Sequence, residues 1–174
     1  DIKSCGFGMT CLHVDGLKTG HTETAGFNII ASNVVGQHRL IAVVMGGKSA
    51  KGREEQARKL LVWGQNTFDT VQLFHAGKKI GSEHVWYGNP HQVEVGTAND
   101  VYLSLPRSEI PNVKAKYVIN RSDLEAPLKA NENIGEIQVM DKDKQIASYP
   151  LVALSAVNEA GMFSRLSDYL KRKF

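Results

Sequence analysis

The pattern of apolar and polar residues first marks two short segments that are rich in β-branched side chains. Residues 27–35 read FNIIASNVV, and residues 38–45 read HRLIAVVM. Gly36 and Gln37 separate the two segments, and a two-residue connection that contains glycine is typical of an antiparallel hairpin. The pattern therefore predicts two antiparallel strands, both mostly buried.

The apolar period becomes that of a helix over the next segment, KGREEQARKLLVWGQNTF. Glu54 with Arg58, and Glu55 with Lys59, form acid-before-base pairs four positions apart, a spacing that supports a helix. The segment is therefore predicted to form one long internal helix. Its expected apolar face consists of Ala57, Leu60, Leu61, Gly64 and Phe68.

Beyond about residue 70 the pattern becomes a series of short apolar runs punctuated by Gly, Pro and Asn. A polar turn, DKDK at residues 141–144, joins the last two runs. Strands this short at this spacing predict a small all-β sandwich, and we place a domain boundary near residue 69. The runs are HVWYG, VYLSLP, VKAKYVIN, IGEIQVM and QIASYPLVAL.

The last segment, residues 162–174, has the pattern of a basic amphipathic helix of about three turns. This composition is typical of a helix that lies in a membrane interface. A terminal helix packed on its own β domain has the same pattern, and the sequence leaves both interpretations open. The apolar residues are Phe163, Leu166, Tyr169, Leu170 and Phe174.

Composition and charge narrow the classes of protein that remain. The chain has 174 residues, 42% of them hydrophobic, which is enough to bury a core. Its 21 basic and 18 acidic residues give a net charge of +3 and are spread along the sequence, so we expect no nucleic-acid partner. No apolar run approaches the roughly 20 residues that cross a bilayer.

The two cysteines, Cys5 and Cys11, lie close to His13 in the sequence. Two thiols and one imidazole at this spacing match no standard zinc signature. We interpret the cysteines as free thiols in a poorly ordered segment, and the sequence predicts neither a metal ion nor a cofactor.

The tripeptide Lys18-Thr19-Gly20, just before the hairpin, is the main candidate for chemistry. A strand at this position can hold a peptide by backbone pairing along its edge, and Gly20 lacks the side chain that would block close approach. Lys18 and Thr19 offer an ammonium and a hydroxyl group toward an anionic acyl substrate. The backbone N–H of His21 is a candidate donor to a developing oxyanion.

Several longer segments, together with VDGLKTGHTETAGFN, carry a resemblance to a known family. They are RLIAVVMGGKSAKGREEQARKLLVWG, VWYG, IPNVKAKY, APL, YPLV and MFSRLSDY. Over residues 13–174 the chain resembles the low-molecular-mass penicillin-binding proteins, the serine D-alanyl-D-alanine carboxypeptidases, and especially their penicillin-binding protein 6b branch. Residues 1–12 do not match. We interpret them as a foreign leader, or as the product of a frame change or truncation.

The resemblance implies an α+β fold class with a definite division of the chain. Residues 13–69 would be an incomplete part of the penicillin-binding, transpeptidase-like catalytic domain, and residues 70–161 a small all-β sandwich domain. Residues 162–174 would be a C-terminal amphipathic helix. The side chains expected to associate with the membrane are Phe163, Leu166, Leu170 and Phe174.

The resemblance also implies roles for individual residues near the tripeptide. Lys18, Thr19 and Gly20 would form the family's third box. His21 would donate its backbone N–H to the oxyanion, and Arg53 would bind the terminal carboxylate of the substrate. A guanidinium group suits that task because it can bind a carboxylate with two parallel hydrogen bonds. The alternative for Arg53 is a solvated charge at the start of a helix.

The family's nucleophile lies in a Ser-x-x-Lys box and its second box is Ser-x-Asn, yet neither pattern occurs in the 174 residues. Tyr87-Gly88-Asn89 imitates a variant of the second box but follows Lys-Thr-Gly, so we interpret it as a decoy. Covalent acyl transfer needs a nucleophile and a group that activates it. We therefore expect this chain alone to be inactive.

Two functions stay open at this point. The resemblance implies the C-terminal portion of an enzyme that trims the terminal D-alanine from peptidoglycan pentapeptides through an acyl-serine. Its partners would be peptidoglycan stem peptides and β-lactams, at the periplasmic face of the inner membrane. The alternative is a non-catalytic periplasmic binding or scaffold module with a β domain near the membrane.

The incomplete catalytic domain also has a consequence for association. Without its covering elements it would expose apolar surface and an unpaired strand edge beside Lys18. We therefore expect a homo-oligomer formed by edge pairing or by swapping of N-terminal elements.

Overall fold

The computed structural model describes residue 12, residues 14–120 and residues 123–173 of the chain. The strands are β1 (Val14–Thr22), β2 (Gly26–Val35), β3 (His38–Gly47), β4 (Phe68–Phe74), β5 (Lys79–Trp86), β6 (Gly88–Asn89), β7 (Gln92–Gly96), β8 (Val101–Pro106), β9 (Val113–Ile119), β10 (Leu124–Glu125), β11 (Asn133–Asp141), β12 (Lys144–Ala153) and β13 (Asn158–Glu159). The α-helices are α1 (Ala50–Thr67) and α2 (Met162–Lys173), and a 3₁₀ helix spans Ile110–Asn112.

The chain divides into two compact units. The first comprises the described residues of Asp1–Val71 together with Ser104–Ser108, and the second comprises Gln72–Leu103 and the described residues of Glu109–Phe174. The first unit contains a sheet and a long helix, whereas the second is built from strands and ends in a helix. This arrangement confirms the predicted α+β fold class with an all-β part and a terminal helix.

The first unit is a three-stranded antiparallel sheet in the order β1-β2-β3, with α1 packed on it. The predicted hairpin is confirmed: β2 and β3 turn at Gly36, whose φ of +59° is a left-handed conformation that glycine adopts without strain. The side chain of Ser49 caps α1 by accepting a hydrogen bond from the Gly52 N–H at 3.0 Å. The core of this unit contains Ile29, Ala31, Ala42, Ala57 and Leu61.

The apolar face of α1 is narrower than the sequence predicted. Ala57, Leu61 and Gly64 are buried, but Leu60 is 46% exposed. Leu60 lies about 100° around the helix from Leu61, at the flank of the stripe that contacts the sheet. Phe68 was also wrongly placed on this face, because the helix ends at Thr67 and Phe68 begins β4.

The prediction that both hairpin strands are mostly buried was wrong, because only the face of the sheet that packs on α1 is buried. The opposite face, which we call the open face, carries apolar side chains that are exposed. Along β2 and β3 these residues alternate with the buried ones, because successive side chains of a strand point to opposite faces. The exposed side chains are Ile30 (49% exposed), Ile41 (64%), Val43 (53%) and Met45 (79%).

A charged network connects the three strands of the first unit. The Arg39 guanidinium of β3 donates to both carboxylate oxygens of Asp15 on β1, at 3.1 and 2.8 Å, and also to the Ser32 hydroxyl on β2. The hydrogen bonds from Arg39 and then from Ser32 hold the pKa of Asp15 below its usual value. The network therefore ties both edge strands to the central strand while Asp15 is ionised.

The second unit is built on a six-stranded sheet in the order β10-β5-β7-β12-β11-β9. Although β5 and β9 lie apart in this order, the Tyr117 hydroxyl of β9 donates to Glu83 of β5 at 2.8 Å. The sheet is therefore curled, and a side chain at Gly81 would collide with the Tyr117 hydroxyl. The core inside this curl includes Val85, Val95, Ile137, Leu151 and Val157.

Helix α2 presents its apolar side chains to solvent. Asp168, in contrast, is only 3% exposed. None of the described helices is long and apolar enough to cross a membrane. Phe174, the last predicted membrane-facing residue, lies outside the described residues. The exposed apolar side chains are Met162 (86%), Phe163 (92%), Leu166 (58%), Tyr169 (52%) and Leu170 (50%).

Two adjacent leucines of α1 provide a matched test of this packing. Leu61 is 1% exposed in the core, so we expect Leu61→Ala to lower the free energy of unfolding by about 2–5 kcal/mol. Leu60→Ala removes the same atoms from a half-exposed position and should change it by about 0.5 kcal/mol or less. Urea denaturation of both variants measures the difference. Equal losses would show that Leu60 is also buried in solution.

Candidate functional site

The Lys18-Thr19-Gly20 tripeptide lies in β1, at the edge of the sheet of the first unit. Lys18 lies opposite Ile30 and Gly20 lies opposite Asn28 on β2. Among the strands that the structure describes, none pairs with the outer side of β1. The outer backbone edge of β1 therefore has the geometry to receive an extended peptide as an additional strand.

The Lys18 side chain lies beside a shallow concavity of about 290 Å³ on the open face of the sheet. Its ammonium group donates to the backbone carbonyl of Thr19 at 2.6 Å. Aliphatic side chains of Ile30, Val43 and Met45 line the rest of the concavity. The site therefore combines one exposed cation with an apolar surface.

The His21 ring is held by an aromatic contact at the end of β1. His21 lies opposite Phe27 in the strand register, and their rings stack with centroids 3.9 Å apart and planes 28° apart. The contact orients the imidazole on the sheet surface. The predicted role of His21 rests on its backbone N–H and stays a prediction.

Arg53 reaches from α1 to the strands that carry the tripeptide. Its Nη1 donates to the backbone carbonyls of Gly20 and Asn28, both at 3.3 Å. The guanidinium carbon lies 5.6 Å from the centre of the Phe27 ring, within range of a cation–π contact. Its Nε is buried and has no hydrogen-bond partner among the described residues. The structure thus places Arg53 and Gly20 together, while carboxylate binding by Arg53 stays a prediction.

Sequence reasoning missed two residues that shape this region. The Asn28 side chain accepts from the Gly46 N–H at 2.9 Å and donates to the Gly26 carbonyl at 3.2 Å. A Cβ at Gly47 would lie 2.9 Å from the Phe27 carbonyl oxygen and 3.2 Å from the Arg53 Cβ. The pair of glycines directly before the helix was the available signal, because adjacent glycines often mark a close backbone approach.

Two further features of the sequence were a candidate metal site and an imitation of the second box. Within the described part of the chain, no group of three or more His, Cys, Asp or Glu side chains is placed to hold a metal ion. Cys5, Cys11 and His13 lie outside the described residues. The Tyr87-Gly88-Asn89 segment belongs to the second unit.

Comparison with known proteins identifies the family. The family model described as "Penicillin-binding protein 5, C-terminal domain" matches residues 68–159, and the one described as "D-alanyl-D-alanine carboxypeptidase" matches residues 7–49. The chain belongs to the penicillin-binding protein 5 family, because the model of that C-terminal domain matches more than half of its residues. This result confirms the resemblance found in the sequence. The second match begins at residue 7, inside the segment that we expected to be unmatched.

Individual members of the carboxypeptidase family are similar over most of the chain. It is 61% identical over 162 residues to the D-alanyl-D-alanine carboxypeptidase DacD of Salmonella typhimurium, covering 93% of this chain and 42% of that protein. Penicillin-binding protein 5 of Haemophilus influenzae matches with a TM-score of 0.78 at 40% identity, covering 85% of this chain and 43% of that one. Penicillin-binding protein 6B of Escherichia coli matches with a TM-score of 0.57 at 48% identity, covering 82% and 35%. The chain therefore spans less than half the length of these relatives.

The contacts of Arg53 predict a stability effect. Because its guanidinium group joins two strand carbonyls and the Phe27 ring to α1, Arg53→Met should lower the free energy of unfolding by about 1–3 kcal/mol. Lys51→Met, one exposed position near the same helix end, removes an equal charge and should change it by about 0.5 kcal/mol or less. Chemical denaturation compares the two. An equal effect would mean that only the charge matters.

Proposed function

We propose that this chain forms part of a D-alanyl-D-alanine carboxypeptidase that trims the terminal D-alanine from peptidoglycan pentapeptides. The observation that carries the proposal is the outer edge of β1, which no other described strand pairs with and where Gly20 accepts a hydrogen bond from Arg53. A stem peptide would pair its backbone with this edge. Penicillins would bind at the same place.

Each residue of the site has its own role, which follows from its charge and its position. The Lys18 ammonium and the Arg53 guanidinium attract an anionic ligand, and Arg53 binds its terminal carboxylate. Thr19 offers a hydroxyl group from the same strand. The backbone N–H of His21 stabilises the oxyanion that develops during acyl transfer, a contribution of about 3 kcal/mol for a single donor.

The nucleophile for acyl transfer has to come from a segment other than the 174 residues of this chain. A serine hydroxyl forms an acyl-enzyme with the release of D-alanine, and water then hydrolyses the ester. Neither Ser-x-x-Lys nor Ser-x-Asn occurs in the 174 residues. We therefore propose that this polypeptide recognises the ligand but does not cleave it.

The cellular place that fits this proposal is the periplasmic face of the inner membrane. Phe163, Leu166 and Leu170 project from α2 into solvent, and Lys171 and Lys173 lie on the same helix. Apolar side chains flanked by cations are suited to an interface of anionic lipids. We propose that α2 lies on that surface.

Labelling with a fluorescent penicillin tests the catalytic assignment. The 174-residue polypeptide should give no covalent band after denaturation, because it has no serine in the required box, whereas a full-length relative should label. A band on this polypeptide would contradict the proposal.

The positive control is a chimera in which residues 13–174 replace the matching segment of the Salmonella relative. This chimera should label and release D-alanine.

Point variants of the chimera separate the site from the scaffold. Lys18→Ala should lower the acylation rate about 100-fold or more, the usual scale for removing a group that stabilises transition-state charge. Lys59→Ala removes an equal charge from an exposed position on α1 and should leave the rate unchanged. Equal rates in the two variants would exclude Lys18 from the site.

We also propose that the polypeptide associates with itself through the open face of the first unit. The two copies would pair along the edge of β1 or exchange their N-terminal elements. The exposed side chains of Ile30, Ile41, Val43 and Met45 form an apolar surface of the kind that binds other protein. In sedimentation experiments at micromolar concentration we expect dimers or larger species. Val43→Lys should shift them toward monomers, whereas Val118→Lys, from the second unit, should not. A monomeric unmodified chain would contradict this proposal.

A further inference from the structure

Polar side chains attach helix α2 to its unit, whereas its large apolar side chains are exposed to solvent. Asp168 is the only residue of the helix that the structure describes as buried. Its Oδ2 accepts a hydrogen bond from the backbone N–H of Tyr87 at 2.9 Å. A buried carboxylate is tolerated only when it is paired, so this contact fixes the helix against the turn.

Tyr87 is bonded to the helix segment from both sides of its backbone. Its N–H reaches Asp168, and its carbonyl accepts from the N–H of Ala160, just before the helix, at 2.7 Å. Its φ of +59° is uncommon for a residue other than glycine. The tyrosine therefore holds a strained conformation in which both of its backbone groups face the terminal segment.

The two residues after Tyr87 have structural roles of the same kind. Gly88 pairs with Glu159, and Asn89 pairs with Asn158. A Cβ at Gly88 would lie 2.7 Å from the side chain of Val157, so only glycine fits. The Tyr-Gly-Asn segment thus pairs with β13, the strand that precedes α2.

Two arginines of the helix complete the attachment. Arg172 binds Asp123 at 2.8 Å and also Glu125, and Arg165 binds Glu159 at 2.7 Å. Hydrogen bonds to Glu125 and then to Tyr87 raise the pKa of Arg172, so its charge persists. The two arginines therefore add charge-assisted hydrogen bonds near both ends of the helix.

His91 adds a further contact from the same turn. Its Nδ1 lies 3.4 Å from the Asp168 carboxylate, and its Nε2 lies 3.3 Å from the Ser164 hydroxyl. Ser164 and Asp168 are four positions apart, so both project from the same face of the helix. That face of the helix is polar and contacts His91, whereas the apolar side chains of the helix are exposed.

We propose that Tyr87, His91, Asp123, Glu125 and Glu159 form a helix socket, which holds α2 rigidly with its apolar side outward. This inference rests on the proposed association of α2 with lipid. A helix docked through its apolar side would have to leave its domain before it could bind a bilayer. The socket makes that step unnecessary. When α2 binds an anionic lipid surface, the second unit is then held at a fixed distance from the bilayer and at a fixed tilt to it.

Charge-matched variants test the socket in solution. Arg172→Gln breaks two ion pairs, whereas Lys171→Gln removes the same charge from the neighbouring position. Hydrogen exchange of the α2 amides should accelerate at least 10-fold in Arg172→Gln and stay within twofold in Lys171→Gln. Asp168→Ala should act like Arg172→Gln, while Ser167→Ala should not. Asp168→Asn, which keeps an oxygen acceptor for Tyr87, should be intermediate, and it serves if Asp168→Ala does not fold.

A second measurement tests the consequence on a bilayer. In a Trp63→Phe background, Trp86 is the remaining tryptophan and reports energy transfer to dansyl-labelled headgroups in phosphatidylglycerol vesicles. Arg172→Gln and Lys171→Gln should both bind about fivefold more weakly, because each loses one cation near the surface. Transfer from bound Trp86 should fall in Arg172→Gln and remain unchanged in Lys171→Gln.

Each result has a distinct meaning. Equal exchange and equal transfer in the two glutamine variants would overturn the socket. Failure of the unmodified chain to bind vesicles would overturn the proposed membrane association and the lipid part of this inference, while the exchange result would still decide the socket. Exchange protection of α2 that rises with protein concentration would assign the apolar face to a second copy and overturn the lipid surface as its occupant.

Discussion

One guanidinium group held against two backbone carbonyls connects the helix of the first unit to its candidate ligand strand. Arg53 comes from α1, whereas Gly20 and Asn28 belong to β1 and β2. The contact is possible only because Gly47 lets the Phe27 carbonyl and the Arg53 Cβ approach within the space of a missing side chain. A cation from the helix is thereby placed in contact with β1, an edge strand of the described sheet, and the proposed chemistry depends on that placement.

The elements that follow from local patterns were predictable from the sequence. The hairpin at Gly36 follows from two β-branched segments and a two-residue connection, and the structure has both strands and the turn. The polar turn within 141–144 also appears, between β11 and β12. In each case the residues that decide the structure are neighbours in the chain, so their pattern carries the necessary information.

Features that depend on distant residues were not predictable in the same way. Leu60 fits the helical period, but its exposure is decided by how much of α1 the sheet covers. The contact of Arg53 with Gly20 joins residues 33 positions apart. Tyr87 is the clearest case, because its local sequence imitates a catalytic box while its backbone is bonded to Asp168, 81 positions later. Family resemblance supplied the identity of the tripeptide, which spacing alone did not.

The hydrogen bond that closes the curled sheet has a consequence in alkali. Donation from the Tyr117 hydroxyl to Glu83, followed by burial, raises the pKa of Tyr117 above its ordinary value of 10.0. The folded state favours the protonated phenol, so this contribution is complete below the unfolded pKa and disappears as pH rises through the folded pKa. Above that point a phenolate would face a carboxylate between β5 and β9, and the hydrogen bond that joins these two strands would be lost.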